Sequence, residues 1–132
     1  MNKFALERID QVEGKQPFFK LIESDECEFD NFCFQLEQSN NPKDTSELIS
    51  IFRTMNFVAN LIRLPKTKFR ALKGATKFAK EYEIETKNYR VYLFHQEKTG
   101  KIVVCGGTKK TQKKDIAIFR KTIKEYFDSS NH

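Results

Sequence analysis

Apolar positions recur along this chain with two different periods, and the change from one to the other falls near Pro65. Residues 4–9 and 18–22 are short runs rich in Phe, Leu and Ile, separated by Glu13-Gly14-Lys15 and by Pro17. They predict either a hairpin or one strand with an extended arm. Asp25 and Glu28 have capping-box spacing, and Phe29, Phe32, Cys33 and Leu36 follow at helical intervals, which predicts a first helix. Ser39-Asn40-Asn41-Pro42 breaks the pattern. Asp44 and Glu47 repeat the box, and Leu48, Ile51, Phe52, Met55, Val58, Ala59 and Ile62 trace one stripe of a second helix ending near Pro65.

Beyond Pro65 the period is two. FRALKG (69–74) precedes KEYEIETKNYRVYLF (80–94), in which Tyr82 and Ile84 share one strand face and Glu81, Glu83 and Glu85 the other. After a turn at Thr86-Lys87-Asn88, Tyr89, Val91 and Leu93 alternate with Arg90, Tyr92 and Phe94. A second turn at 97–100 leads into Ile102 to Cys105. A last helix is expected from about Lys114, with Ile116, Phe119, Ile123 and Tyr126/Phe127 as its stripe. The order is β(β)ααβββα. It describes one α+β domain over residues 1–132, with helices on one face of an antiparallel sheet. If Val91 and Leu93 meet those helices, Arg90 and Tyr92 project from the open face.

Charge is divided along the same line. Residues 62–132 carry 18 Lys/Arg against 7 Asp/Glu, and residues 1–61 carry 6 against 11, for a chain of net charge +6. A surplus gathered on the part that reads as sheet points to a polyanionic partner. The 132 residues suffice for one core, and 17 aromatic residues supply its bulk. MNKFALERID has neither the apolar region nor the cleavage site of a secretory signal, and no apolar stretch approaches membrane-helix length. Three cysteines without CxxC spacing fit reduced thiols in a cytoplasm.

Familiar enzyme signatures are missing. There is no phosphate loop and no dinucleotide fingerprint; Gly106-Gly107 is only a pair. Cys27, Cys33, Cys105, His95 and His132 lack the spacing of a metal site or a nucleophile system, so no cofactor is implied. The row Glu81, Glu83, Glu85 reads as a metal carboxylate set or as a face paired with neighbouring lysines. Arg90, mid-strand, reads as a phosphate clamp, since its planar fork offers two donors to phosphate oxygens. The same placement also fits an arginine bridged across strands to Glu83 or Glu81. Lys109, Lys110, Lys113 and Lys114 lie where the last strand hands over to the last helix, a place where a basic turn can follow a nucleic-acid backbone or simply be solvated.

The set Leu72-Lys73-Gly74, Glu81-Tyr82-Glu83-Ile84, Tyr89 to Phe94 and Lys109 to Lys113, followed by an amphipathic helix, resembles the RelE/ParE toxin superfamily, in particular its HigB-like branch. The likeness covers roughly residues 44–127. It implies a RelE-like fold, with two helices in the N-terminal half and one at the C-terminus. It also implies a bacterial cytoplasmic toxin that cleaves mRNA on the ribosome without metal and is neutralised by a cognate antitoxin of helix-turn-helix type. In that chemistry a ribose 2′-OH attacks the adjacent phosphate, which needs a proton acceptor, a cation and a proton donor.

Carried over residue by residue, Arg90 matches the family's strand arginine and Lys73 lies on the strand with a basic catalytic residue, with Tyr92 and His95 as acid/base candidates. Arg70, Lys109, Lys110, Lys113 and Lys114 are the expected RNA contacts. Glu83 stands where the family has Arg or Lys, and Cys105-Gly106-Gly107-Thr108 replaces its bulky stretch. Two other readings of the same residues are a non-catalytic inhibitor on this fold, as in the gyrase-directed branch, and a basic nucleic-acid-binding module.

Overall fold

A computed structural model describes residues 3–130. β1 (Phe4–Arg8) and β2 (Phe18–Glu23) form an antiparallel hairpin, so the first of the two N-terminal alternatives is the one that folds. Helices α1 (Glu28–Gln38) and α2 (Pro42–Ala59) follow, then β3 (Phe69–Ala71), β4 (Lys80–Glu85), β5 (Tyr89–Gln96) and β6 (Gly100–Thr108). A 3-10 turn, Lys109–Thr111, leads into α3 (Gln112–Ser130). All six strands belong to one sheet in the order β1-β2-β6-β5-β4-β3. Its β3–β6 meander is antiparallel, but β2 runs parallel to β6. The sheet is therefore mixed, not antiparallel throughout, because the α1–α2 excursion returns the chain to the far edge of the meander.

Both faces of the sheet are covered, which corrects the expectation of helices on one face only. Phe29, Phe32 and Leu36 of α1 and Leu48, Ile51, Met55 and Val58 of α2 pack on Ile84, Val91, Leu93 and Val103. On the opposite face, Phe119, Ile123 and Tyr126 of α3 pack on Tyr92, Phe94, Ile102 and Val104. Each fully buried side chain of that second layer contributes about 1.5–3 kcal/mol of apolar transfer. The alternating residues of β5 are thus all core, and residues 90–94 form a continuous buried run.

Helix ends depart from the predicted boxes. α1 is capped by Cys27, whose Sγ accepts from the Asp30 N–H at 3.4 Å. Asp25 instead occupies the left-handed region in the preceding turn. Asn41 caps α2 by accepting from the Lys43 N–H at 3.0 Å, with Pro42 opening the helix. That leaves Asp44 and Glu47 free for tertiary contacts. At its other end α2 stops at Ala59, because Asn60 bonds back to the Asn56 carbonyl and Leu61 turns left-handed. Ile62, assigned by periodicity to the helix stripe, is consequently off the helix and half exposed. Among the described residues no helix is long and apolar enough to cross a membrane.

Candidate nucleic-acid interface

The basic residues gather at the sheet end where the β4–β5 turn and the β6–α3 connection lie side by side. The Lys109 N–H donates to the Asn88 carbonyl at 2.8 Å, joining the two turns. Asn88 is in turn held by Glu47, which accepts from its N–H at 2.8 Å and from Nδ2 at 2.7 Å. Next along the chain, the Tyr89 hydroxyl donates to Asp44 Oδ1 at 2.6 Å. That bond pushes the Tyr89 phenol up to about 12 and draws Asp44 below the usual carboxylate range. The first two turns of α2 therefore brace this end of the sheet.

The Gly106-Gly107 pair explains how the second turn is formed. A side chain at Gly106 would run into the Phe32 ring at 2.7 Å, and one at Gly107 would collide with the Asp115 carboxylate. The pair lets α1 press on one face of β6 while the first turn of α3 presses on the other. Thr111 Oγ1 donates to Asp115 Oδ2 at 2.6 Å and completes the turn. Lys87, Lys109, Lys110, Lys113 and Lys114 are all exposed, and none of their ammonium groups takes part in a described hydrogen bond or ion pair. Such a surface can neutralise phosphates along a backbone.

Beneath that end lies a buried polar layer containing several residues singled out from the sequence. Arg90 is 5% exposed and does not project from an open face. Its Nη1 donates to the Thr86 and Tyr89 carbonyls at 2.7 and 2.8 Å, Nη2 stands 3.6 Å from Glu85, and Nε stands 4.0 Å from Glu83 without a hydrogen bond. The placement corrects the expected clamp geometry, because the face expected to be open carries α3 on Tyr92 and Phe94, and Arg90 itself is bonded inward to the β4–β5 turn.

Glu83 is fully buried. Its Oε1 accepts from Arg70 Nε at 2.9 Å and lies 2.8 Å from Arg70 Nη2, and its Oε2 accepts from Gln112 Nε2 at 2.6 Å. An acid thus occupies the centre of the layer, and Arg70 turns inward to it as well as outward to solvent. Glu81 is likewise buried, accepting from Arg120 Nε at 2.8 Å and the Thr76 N–H at 2.8 Å. The Glu81 and Glu83 carboxylates are thus neither a solvated face paired with lysines nor ligands in waiting, but buried acceptors for arginines. Among the described residues no cluster of three or more His, Cys, Asp or Glu is arranged to hold a metal.

Tyr92 is fully buried against Phe119, with ring centroids 5.7 Å apart, and its hydroxyl has no described hydrogen-bond partner. Burial, then the charge of Glu83, raises its pKa far above that of an ordinary phenol. Lys73 is exposed in the turn after β3, where its carbonyl accepts from Arg120 Nη2. His95 lies at the other end of β5, roughly 17 Å along the strand from Arg90 at about 3.4 Å per residue. It is on the opposite face, 3.1 Å from Lys101 Nζ. Arg90 and Tyr92 therefore share a covered face, Lys73 is exposed at a separate turn, and His95 is remote; the four do not converge. His132 lies outside the described residues. The cysteines are free thiols, and burial pushes Cys33 and Cys105 up to about 12.

The sequence reading did not single out Lys101, Gln16 or Arg120. Only strand register brings Lys101 to His95 and Lys80. Comparison with protein-family models, with curated proteins and with solved structures finds no match.

Proposed function

We propose that the chain is the toxin of a type II toxin–antitoxin pair. On this reading it has a RelE-like fold, engages ribosome-bound mRNA in a bacterial cytoplasm as a metal-independent endonuclease, and is silenced by a cognate antitoxin. The observation that carries the reading is the pair of joined turns at one end of the sheet, with five exposed lysines that have no intramolecular partner among the described residues. A rigid, one-sided cationic edge suits a phosphate backbone better than a small acidic substrate. The sequence likeness is supported by the arrangement of its motifs, which fall in order on the turn after β3, β4, β5 and the β6–α3 connection of one sheet.

A second reading, a non-catalytic inhibitor built on the same surface, is favoured by one specific observation. Tyr92 is packed beneath α3, Arg90 is buried and bonded into the β4–β5 turn, and His95 lies on the other face. A transition-state cation must reach the phosphate it stabilises, and this arrangement holds Arg90 away from solvent.

Inducible expression in a bacterial host, with and without the product of the neighbouring gene, tests both readings. Growth arrest accompanied by new mRNA ends carrying a 2′,3′-cyclic phosphate supports the nuclease. Arrest with intact mRNA supports the inhibitor. Replacing Lys109 and Lys110 with Gln should lower the slope of log affinity for ribosomes or RNA against log salt by roughly one unit per lost contact. Absence of arrest together with an unchanged salt slope would overturn both readings.

A further inference from the structure

A cleft of about 340 Å³ opens on the α1–α2 side of the sheet, where α2 stops at Ala59. Leu61, Ile62 and Leu64, just past the helix, line it together with Phe69 and Tyr82, whose rings stack at 5.1 Å with 12° between their planes. Strand register places Lys101 on the same face. Tyr82 pairs with Leu93 and Leu93 with Val103, while His95 and Lys101, each two residues from that pair, are also opposite one another. Lys101 is itself part of the cleft lining. Leu61 holds φ at 62°, a conformation that Gly or Asn adopts at less cost, and its side chain is 67% exposed; Ile62 is 50% exposed. Both apolar side chains border the cleft instead of entering the core.

Lys101 is 7% exposed. Its Nζ donates to Gln16 Oε1 at 2.8 Å, stands 3.1 Å from His95 Nδ1 and lies 5.2 Å from the centre of the Tyr82 ring. Gln16 is fixed at the end of α2 by its own N–H, which donates to the Ala59 carbonyl at 2.9 Å. An ammonium has three hydrogens and can only donate. Gln16 and His95 Nδ1 take two, and the third has no acceptor among the described residues. No described carboxylate pairs with Lys101. Burial, then repulsion from Lys80, lowers its proton affinity. A buried ammonium without a counter-ion is costly, and an arriving anion relieves that cost. Arg63, exposed, adds a second positive charge to the lining. One free donor suits a carboxylate oxygen; a phosphate would bring further oxygens to apolar walls that cannot satisfy them.

We propose that this cleft binds a small monocarboxylate with an apolar chain, its carboxylate on Lys101 and beside Arg63 and its chain against Leu61, Ile62, Phe69 and Tyr82. Apolar walls with one convergent charged donor are the general form of a site that holds an amphiphilic molecule in a single orientation. The buried cation selects the head group and the cleft lining selects the tail. The site is separate from the lysine-rich turns and does not rest on the toxin reading.

The test is calorimetric titration of the full-length protein at neutral pH with octanoate, octanamide, acetate and inorganic phosphate. Octanoate should bind, and octanamide, which has the same chain without the charge, should bind roughly tenfold or more weakly. Acetate and phosphate should bind more weakly still. Ile62→Glu places a like charge in the cleft at an exposed position, so the variant keeps its fold and should lose roughly tenfold or more in octanoate affinity. Ile118→Glu, at an exposed apolar position on α3, should leave that affinity unchanged and so separates the cleft from unspecific apolar adsorption. Lys101→Met keeps the length of the side chain and should abolish the preference for octanoate over octanamide. Should that variant not fold, the two ligands compared on the unaltered protein test the same charge. No octanoate binding, equal affinity for octanamide, unchanged affinity in Ile62→Glu, or phosphate binding as tightly as octanoate would overturn the assignment. None of these readouts depends on growth arrest, so their failure is distinct from failure of the proposed function.

Discussion

Replacing Arg90 with alanine removes more than a charge. Its guanidinium donates to two backbone carbonyls, at 2.7 and 2.8 Å, that belong to the β4–β5 turn, and it lies near Glu83 and Glu85 with only 6% of its side chain exposed. Hydrogen bonds from a charged donor are worth about 1.5–3 kcal/mol each and do not add fully. Glu85 is partly exposed and can turn to water, so its share is small. Glu83 keeps Arg70 and Gln112 but loses the nearby compensating charge. Losing the two charged-donor bonds, with incomplete additivity, costs about 3–5 kcal/mol, and that is the expected loss for Arg90→Ala. Against a domain stability of roughly 5–15 kcal/mol, the variant is severely weakened. Urea unfolding followed by circular dichroism should show a midpoint lower by roughly 1.5–2.5 M, for a slope of about 2 kcal/mol per M. A midpoint shift corresponding to less than about 1 kcal/mol would refute the structural role and return Arg90 to the solvent-facing clamp expected from periodicity. On the proposed toxin function, loss of toxicity in Arg90→Ala is therefore informative only when read beside this unfolding curve.

Gly107→Ala should destabilise the protein by about 1–3 kcal/mol, as overpacking does, because the new methyl group meets the Asp115 carboxylate; thermal melting and faster amide exchange in the first turn of α3 are the readouts. The Tyr89–Asp44 bond gives opposite signs at the two ends of the pH scale. Asp44 is depressed in the fold, so its contribution is present above the unfolded carboxylate pKa and is lost as pH falls through the folded value. Tyr89 is raised, so its contribution is full below about 10 and is lost as pH rises through about 12. Tyr89→Phe should flatten both limbs of a stability-versus-pH curve, and an unchanged curve would refute the coupling. Cys33, at about 12, should resist iodoacetamide at pH 8 in the folded protein and react on unfolding, as mass spectrometry would record.

Hydrophobic periodicity by itself determined most of the elements and their sequence along the chain, although the short β3 makes four strands after α2 where the expected order has three. The alternation over 80–94, the helical stripes through Phe29–Leu36 and Leu48–Ala59, and the amphipathic end of the chain all became the strands and helices they predict, because local period follows directly from backbone geometry. Charge partition was legible in the same way, and so was the exposure of Lys109, Lys110, Lys113 and Lys114. Only the tertiary structure decided what each face meets. Alternation assigns Arg90 and Tyr92 to the face opposite Val91, but it cannot say that α3 folds back to seal that face, since the choice depends on packing between segments remote in sequence. The parallel pairing of β2 with β6, the inward turn of Arg70 and Arg120 to buried Glu83 and Glu81, and the meeting of Lys80, His95 and Lys101 have the same origin. Each is a matter of cross-strand register and of burial, which lowers the dielectric and turns isolated charges into obligatory pairs. A one-dimensional pattern carries neither quantity.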